Sequence, residues 1–372
     1  MRKRFTRIYL SEKLKVMNMA SCAWRHRKIY AMLTLLLLLF ISVICSVAIG
    51  SASISFVDTG RVLLTHIPGL SSLIKVKTDT ALDVIVLQLR LPRVILAVFI
   101  GAALAVAGAV LQGLLRNPLA EPYTLGVSSG AAVGAALVFV ILRGEGTVFG
   151  AASLPFSAFI GALLTVMIVY KLALMNGYLA VETLILAGVV MNSFMSAVLS
   201  YLLTMAGENL HQVVYWLMGS LALRSSEYFI YTLPFLAVGI LLVCFFGRDL
   251  NILTFGDETA GQLGISVERT KRFLLTLATL LTGIAVSLGG TIGFVGLIVP
   301  HLVRLVVGPD HRILLPFAAL GGALFLIWAD TVARTIVAPV ELPVGVVTAF
   351  LGAPFFAYLL RSRKSGGSCF GA

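Results

Sequence analysis

Residues 94–142 read VILAVFIGAALAVAGAVLQGLLRNPLAEPYTLGVSSGAAVGAALVFVIL, and this stretch decides the fold class. Between Val94 and Leu142 only Arg116 and Glu121 carry charge. An α-helix crosses the hydrocarbon of a bilayer in about 20 apolar residues, with every backbone polar group paired inside the helix. A membrane β-strand would alternate polar and apolar side chains. The runs on either side of NPLAEP (117–122) do not alternate. The two prolines of that segment stop a helix and redirect the chain, and its shortness inside a Gly-rich frame points to a partly re-entrant turn.

The same pattern extends outward over the chain. Of 372 residues 59% are hydrophobic and 12% charged, about half the charge of a soluble domain. Apolar spans are predicted at 30–50, 92–115, 124–142, 151–174, 183–205, 226–246, 272–291, 294–307, 313–337 and 343–360. The longest polar connections are 51–91, 206–225 and 247–271. The fold class is an all-α integral membrane protein of about ten transmembrane helices. Residues 105–120 and 287–302 resemble each other, with Gly108 aligned to Gly290 and Pro118 to Pro300. With five spans in each part, the repeat predicts two inverted five-helix halves.

The formal net charge of +12 is concentrated at one end. Residues 1–29 hold nine Lys/Arg against Glu12, a basic flank beside an apolar span. That is the positive-inside signal, and no aromatic interleaving or motif supports nucleic-acid binding. Residues 1–29 are read as a basic cytoplasmic N-terminal segment, 30–362 as the transmembrane domain and 363–372 as a cytoplasmic tail. The first span is too long for a signal-peptide core and ends in no small-x-small cleavage site. Arg116, Lys171, Arg248, Arg269, Lys271, Arg272, Arg304 and Arg312 fall on one set of connections, which are therefore expected in the cytoplasm with both termini. Arg90 and Arg93 are exceptions at the outer end of the second span. Cys22, Cys45, Cys244 and Cys369 follow no metal or disulfide spacing.

Four features bear on function. Gly126, Gly130 and Gly134 repeat every fourth residue, and Gly289, Gly290, Gly293 and Gly296 crowd the other half. Such ladders let helix backbones approach closely, and helix packing accounts for them. In GDETAGQLGISVERTKR (256–272) Asp257 is placed to cap a short helix, Gly264 to end it in a left-handed conformation and Ser266 to cap a second short one. A passive linker would not need these consecutive signals. Asp330 and Arg334 lie one helical turn apart and are placed to pair. The spans otherwise hold almost no ionisable groups, which argues against an ion-coupled secondary transporter. The sequence contains no GxxxxGK[ST], so active transport would draw its energy from another subunit.

The blocks LRLPR (89–93), GAVLQGLLRNPLAEPYTLGVSSGA (108–131), ILAGVV (185–190), YWLMGSL (215–221), GDETAGQLGISVERTK (256–271), GFVGLIVPHLVRLVVGPDHR (293–312), ADTVAR (329–334) and ELPVGVVTAFLGAPFFAYLL (341–360) resemble, in this order, the FecCD permeases. These are the transmembrane subunits of bacterial importers for ferric siderophores, haem and cobalamin. The resemblance implies a multi-pass subunit of a type II ATP-binding cassette importer in the bacterial cytoplasmic membrane. It would not be an enzyme and would hold no cofactor or metal of its own. It would pair with an identical or paralogous permease, with ATP bound by a cytoplasmic ATPase dimer and substrate delivered by an extracytoplasmic binding protein. Gly256, Asp257, Glu258, Ala260, Leu263 and Gly264 would form the ATPase-coupling surface. Arg90, Arg93 and Arg334 would dock the binding protein, against the simpler alternative of a local partner such as Asp330. Asn117 and Leu119 would narrow the cytoplasmic exit, and Gly188, Asn192, Ser193 and Ser196 would lie on the pore-lining fifth span. A ferric siderophore is the expected substrate, with haem or cobalamin as alternatives.

Overall fold

The computed structural model describes residues 27–50, 54–66, 80–141, 152–175, 178–222 and 226–365. All ten predicted spans are helices within a few residues of the expected edges. They are α1 (Arg27–Ala48), α4 (Leu91–Leu114), α5 (Val127–Ile141), α6 (Ser153–Ala173), α7 (Val181–Met205), α9 (Ser226–Phe245), α12 (Val267–Gly289), α13 (Val295–Val307), α14 (His311–Thr335) and α15 (Val344–Ser365). By length and composition α1, α4, α6, α7, α12 and α14 each suffice to cross a membrane. Ile230–Phe245 joins the short α10 (Gly247–Thr254) at a 51° bend, and α5, α13 and Val344–Leu359 are shorter apolar helices.

The connections hold more structure than their polarity announced. Residues 51–91 contain α2 (Phe56–Thr65) and α3 (Thr80–Asp83), and 206–225 contain α8 (Leu210–Leu217). From α3 a π-helical segment, Val84–Arg90, runs straight into α4 and makes one rod, Thr80–Leu114. Pro92 sits at the start of α4. Its ring would crowd the carbonyl four residues back in an α-helix. The wider turn ahead of it, in which the Leu91 N–H reaches the Val86 carbonyl, lets the rod pass unbroken. A two-residue hairpin of β1 (Leu174–Met175) and β2 (Tyr178–Leu179) joins α6 to α7.

α4 is the centre of the molecule, with every residue from Ile100 to Leu114 buried. It packs on α12, α13 and α14 of the second half, while α12 packs on α5 and α6 of the first. The exchange of α4–α14 for α12–α6, and of α4–α13 for α12–α5, is the relation an inverted repeat requires. The local register of the repeat is different from the one read in sequence. Gly108 lies inside α4, whereas Gly290 ends α12 at φ 71°. Pro118 is in a turn and Pro300 is inside α13. Gly and Ala recur throughout both halves, so matching small residues selected a shifted alignment.

The small-residue ladders are contacts. A Cβ at Gly108 would overlap the Gly296 carbonyl, and one at Gly101 would overlap that of Gly322. Gly130 and Gly134 meet Gly161 and Ser157 of α6 in the same way. Gly126 is off the ladder, holding φ 82° in the turn before α5.

One end of the bundle is held by a buried ionic network. Arg93 on α4 grips Asp330 of α14 through Nη2 at 2.8 Å and Nε at 3.0 Å, and reaches Glu341 at 2.7 Å. Asp330 also meets Nε of Arg334 at 3.1 Å. The α1 C-terminus leaves its last carbonyls without partners inside the helix. Arg90 supplies Nη1 to Val47 and Ala48 at 3.0 and 2.7 Å, and Arg334 supplies Nη2 to the Ser46 carbonyl at 3.1 Å. Two cations thus cap the negative end of the α1 dipole. Asp330 balances two guanidiniums, and losing one member of a buried ion set costs about 3–5 kcal/mol. Asp330→Asn is expected to destabilise the folded protein by about that amount, measured as a lowered thermal midpoint in detergent. A midpoint equal to that of the unsubstituted protein would exclude this account.

Candidate coupling platform and inner gate

The chain leaves α9 at Gly247, whose Cα lies against the backbone of Arg312 too closely for a side chain to fit easily. α10 then continues at the 51° bend with Leu250 and Leu253 buried. Asn251 anchors it, donating Nδ2 to Asp310 at 2.6 Å and accepting the His311 N–H at 2.7 Å. α11 (Asp257–Gln262) follows. The two short helices of this region are α10 and α11. The second one expected after Gly264 does not exist, because Ser266 opens the full-length α12. Gly256, not Asp257, is the N-cap of α11, and neither Gly256 nor Ser266 makes a side-chain capping bond. Asp257 stands at the first helical position, where its charge complements the helix dipole. Gly264 does end the unit in the left-handed region, at φ 84°.

The platform has an anchored side and an open side. Ala260 is fully buried, while Glu258 and Gly264 are exposed and Gly256 is half-buried. Leu263 and Phe255 are 61% and 74% exposed. Asp257 ties the platform down in two directions. It meets the almost fully buried ammonium of Lys271 on α12 at 2.5 Å and the guanidinium of Arg116 at 2.6 Å. Arg116 also donates to the Leu253 carbonyl at 3.2 Å.

Arg116, legible in the sequence only as a charge, is the residue that joins the platform to the next connection. It begins the connection that carries Asn117 and Leu119. Asn117 Oδ1 accepts the Leu119 N–H at 2.9 Å and closes a tight turn. Asn117 is half-buried, and Leu119 is 39% exposed at the tip. The connection continues through a 3₁₀ turn, Pro122–Leu125, into α5. The Glu121 carboxylate lies against the backbone of Phe294, the N-cap of α13. The two inter-helix connections that correspond in the two halves therefore touch.

The α7 candidates divide by face. Gly188 lies under the Thr124 carbonyl, and Asn192 bonds the Tyr123 carbonyl at 3.0 Å and Ser129 Oγ at 2.7 Å. These two lock α7 to the start of α5. Ser193 and Ser196 point outward with Ser200, at helical spacing on one exposed face. Ser193 and Ser200 return their hydroxyl protons to the carbonyls of Val189 and Ser196. These two hydroxyls present no fixed donor outward, and Leu186 and Val189 lie exposed on the same face. Arg90, Arg93 and Arg334 do not form an outward-facing set. All three are at least nine-tenths buried and committed to Asp330, Glu341 and the end of α1. A docking role would require them to exchange those partners.

Comparison with known proteins places this architecture. The family model described as the FecCD transport family matches residues 37–362. The cobalamin import system permease protein BtuC of Halobacterium salinarum is 49% identical over 282 residues, covering 76% of this chain and 74% of the relative. The hemin transport system permease protein HmuU of Yersinia pestis is 42% identical over 340 residues, covering 89% and 96%. The solved structure of an inward-facing metal-chelate type ABC transporter superposes with a TM-score of 0.74 at 30% identity, covering 90% of this chain and 99% of that one. A match over most of the transmembrane domain, with relatives this similar along most of their length, makes the chain a member of the FecCD transport family of ABC importer permeases.

Proposed function

We propose that the chain is one of two permease subunits enclosing the pore of an importer for ferric siderophores, driven by ATPases that press on α10–α11 from the cytoplasm. One observation carries the reading. Asp257 joins the exposed platform directly to Arg116, the first residue of the connection bearing Asn117 and Leu119. Force applied at Leu263 and Glu258 would reach that connection through this ion pair and the Arg116 hydrogen bond to the Leu253 carbonyl, with Lys271 holding the platform to α12. Both termini lie in the cytoplasm on this reading, and the exposed faces of α7, including Ser193 and Ser196, line the path with the partner permease. An extracytoplasmic binding protein delivers the substrate at the Arg93–Asp330 end.

A ferric siderophore fits a wide, weakly polar path. A hydrated metal ion would need carboxylates or carbonyls along it, and a chelate carries its iron inside an organic shell. The names of the similar BtuC and HmuU proteins support a second reading, cobalamin or haem as substrate.

Three measurements test these statements. A cysteine at Gly261, which is exposed and where an added Cβ would meet open space, is expected to react with an impermeant reagent only in opened cells. Labelling in intact cells would overturn the orientation. Gly264→Pro forces φ to about −65° at a site that holds a left-handed conformation. It is expected to reduce uptake to background while leaving the purified protein folded, and Arg116→Ala and Asp257→Asn are expected to be non-additive in substrate-stimulated ATP hydrolysis. Unimpaired uptake with 256–264 replaced by a Gly/Ser linker would refute the coupling role. Uptake of radiolabelled iron as a siderophore chelate is expected to disappear on deletion of the gene. Loss of cobalamin or haem uptake with siderophore-iron uptake intact would replace the substrate and leave the importer standing.

A further inference from the structure

An open groove of about 340 Å³ lies between α6 and α12, and none of its lining residues makes the platform contacts or belongs to α7. Its walls are apolar, chiefly Leu163, Val166, Met167 and Leu275. Its mouth is made by Tyr170, Lys171 and Arg272. Lys171 stands in the last turn of α6 and Arg272 in the second turn of α12, so both cations sit at the same end of two membrane-spanning helices. Both are exposed, and among the described residues neither has a carboxylate within ion-pair distance. The Arg272 guanidinium lies 6.0 Å from the Tyr170 ring centroid, which orients it across the mouth. The neighbouring charges do not cancel the pair. Glu268, which accepts the Leu179 N–H at 3.1 Å, offsets one charge, but Arg269 on the first turn of α12 restores it, and Lys271 is taken by Asp257.

From Leu163 to Lys171 the groove runs eight residues along α6, about 12 Å at the helical rise. The lining runs inward from the helix ends, where the cations stand, along the apolar length of α6 that would face hydrocarbon in a bilayer. A second copy of this chain would bring a like set of cations against these, whereas a phosphodiester supplies the missing charge. We propose that the α6–α12 groove is a binding site for an anionic glycerophospholipid, with one acyl chain in the groove and the phosphate held by Lys171 and Arg272. Basic pockets between transmembrane helices on the cytoplasmic side bind lipid headgroups through this combination of apolar wall and paired cations.

Native mass spectrometry of the full chain in detergent, titrated with phosphatidylglycerol or phosphatidylcholine, reads the first bound lipid directly. The phosphatidylglycerol adduct is expected at a concentration lower by about fivefold for each cation. The preference should vanish in the Lys171→Gln/Arg272→Gln double variant, survive in Arg272→Lys and shrink at high salt. Met167→Trp, which fills the groove and leaves the charges, should suppress the first adduct of both lipids. Each variant is checked for monodispersity and helical content, and the single Lys171→Gln variant, expected to lose about half of the preference on a logarithmic scale, replaces the double one if that fails to fold. Equal titration by the two lipids, an unchanged preference without the cations, or no adduct because a second subunit covers the groove would each overturn the proposal.

Discussion

The close approach of α4 to α13 and α14 is the contact on which the rest of the molecule depends. In a bilayer the lipid tails are as apolar as the side chains, so helices associate through packing and hydrogen bonds rather than through hydrophobic gain. Gly101 and Gly108 bring the α4 backbone against carbonyls of Gly322 and Gly296. That separation sets other distances. Gln112 Nε2 reaches the Gly296 carbonyl at 3.3 Å while its Oε1 accepts from Arg304 at 3.0 Å. Arg93, two turns before Gly101, reaches across to Asp330. A wider gap between these helices would separate the two halves and strip the ionic network of its counter-charge.

The two ends of the bundle use charge differently. Around Asp330 the groups are buried, and three arginines share two carboxylates and the carbonyls that end α1. Breaking such a set is costly, so it holds α1, α4 and α14 in one arrangement. At the platform Asp257 is half exposed. Its bond to Lys271 is firm because that ammonium is buried and has no other carboxylate partner among the described residues. Its bond to Arg116 joins two solvated side chains, and such pairs are worth about 0–1 kcal/mol. α11 is thus fastened to α12 and only lightly tied to the connection bearing Asn117 and Leu119. A contact of that strength can break and re-form during a transport cycle without unfolding anything.

The ten helices were legible in the sequence because each apolar run must satisfy its own backbone in lipid, and length and hydropathy report that directly. Gly264 was legible for the same local reason, since a left-handed turn before Ser266 is written in the residue type. The Glu341–Arg93 pair, 248 residues apart, was not, because sequence spacing carries no distance between elements. The pairing of Asp330 with Arg334 was read correctly from its one-turn spacing. The commitment of Arg93 to the same carboxylate followed only from the crossing of α4 and α14.

The sequence by itself therefore determined the class of fold, the number and approximate edges of the spans, and the presence of a structured connection at 256–264, all properties of a single segment meeting its solvent. Tertiary structure decided which residues of each segment face one another. It turned Arg90, Arg93 and Arg334 inward, packed Gly188 and Asn192 against the start of α5 while leaving Ser193 and Ser196 exposed, and set Arg116 against Asp257. Those outcomes depend on helix rotation and crossing, which are fixed by backbone contacts at a few glycines between distant segments and cannot be read from either segment alone.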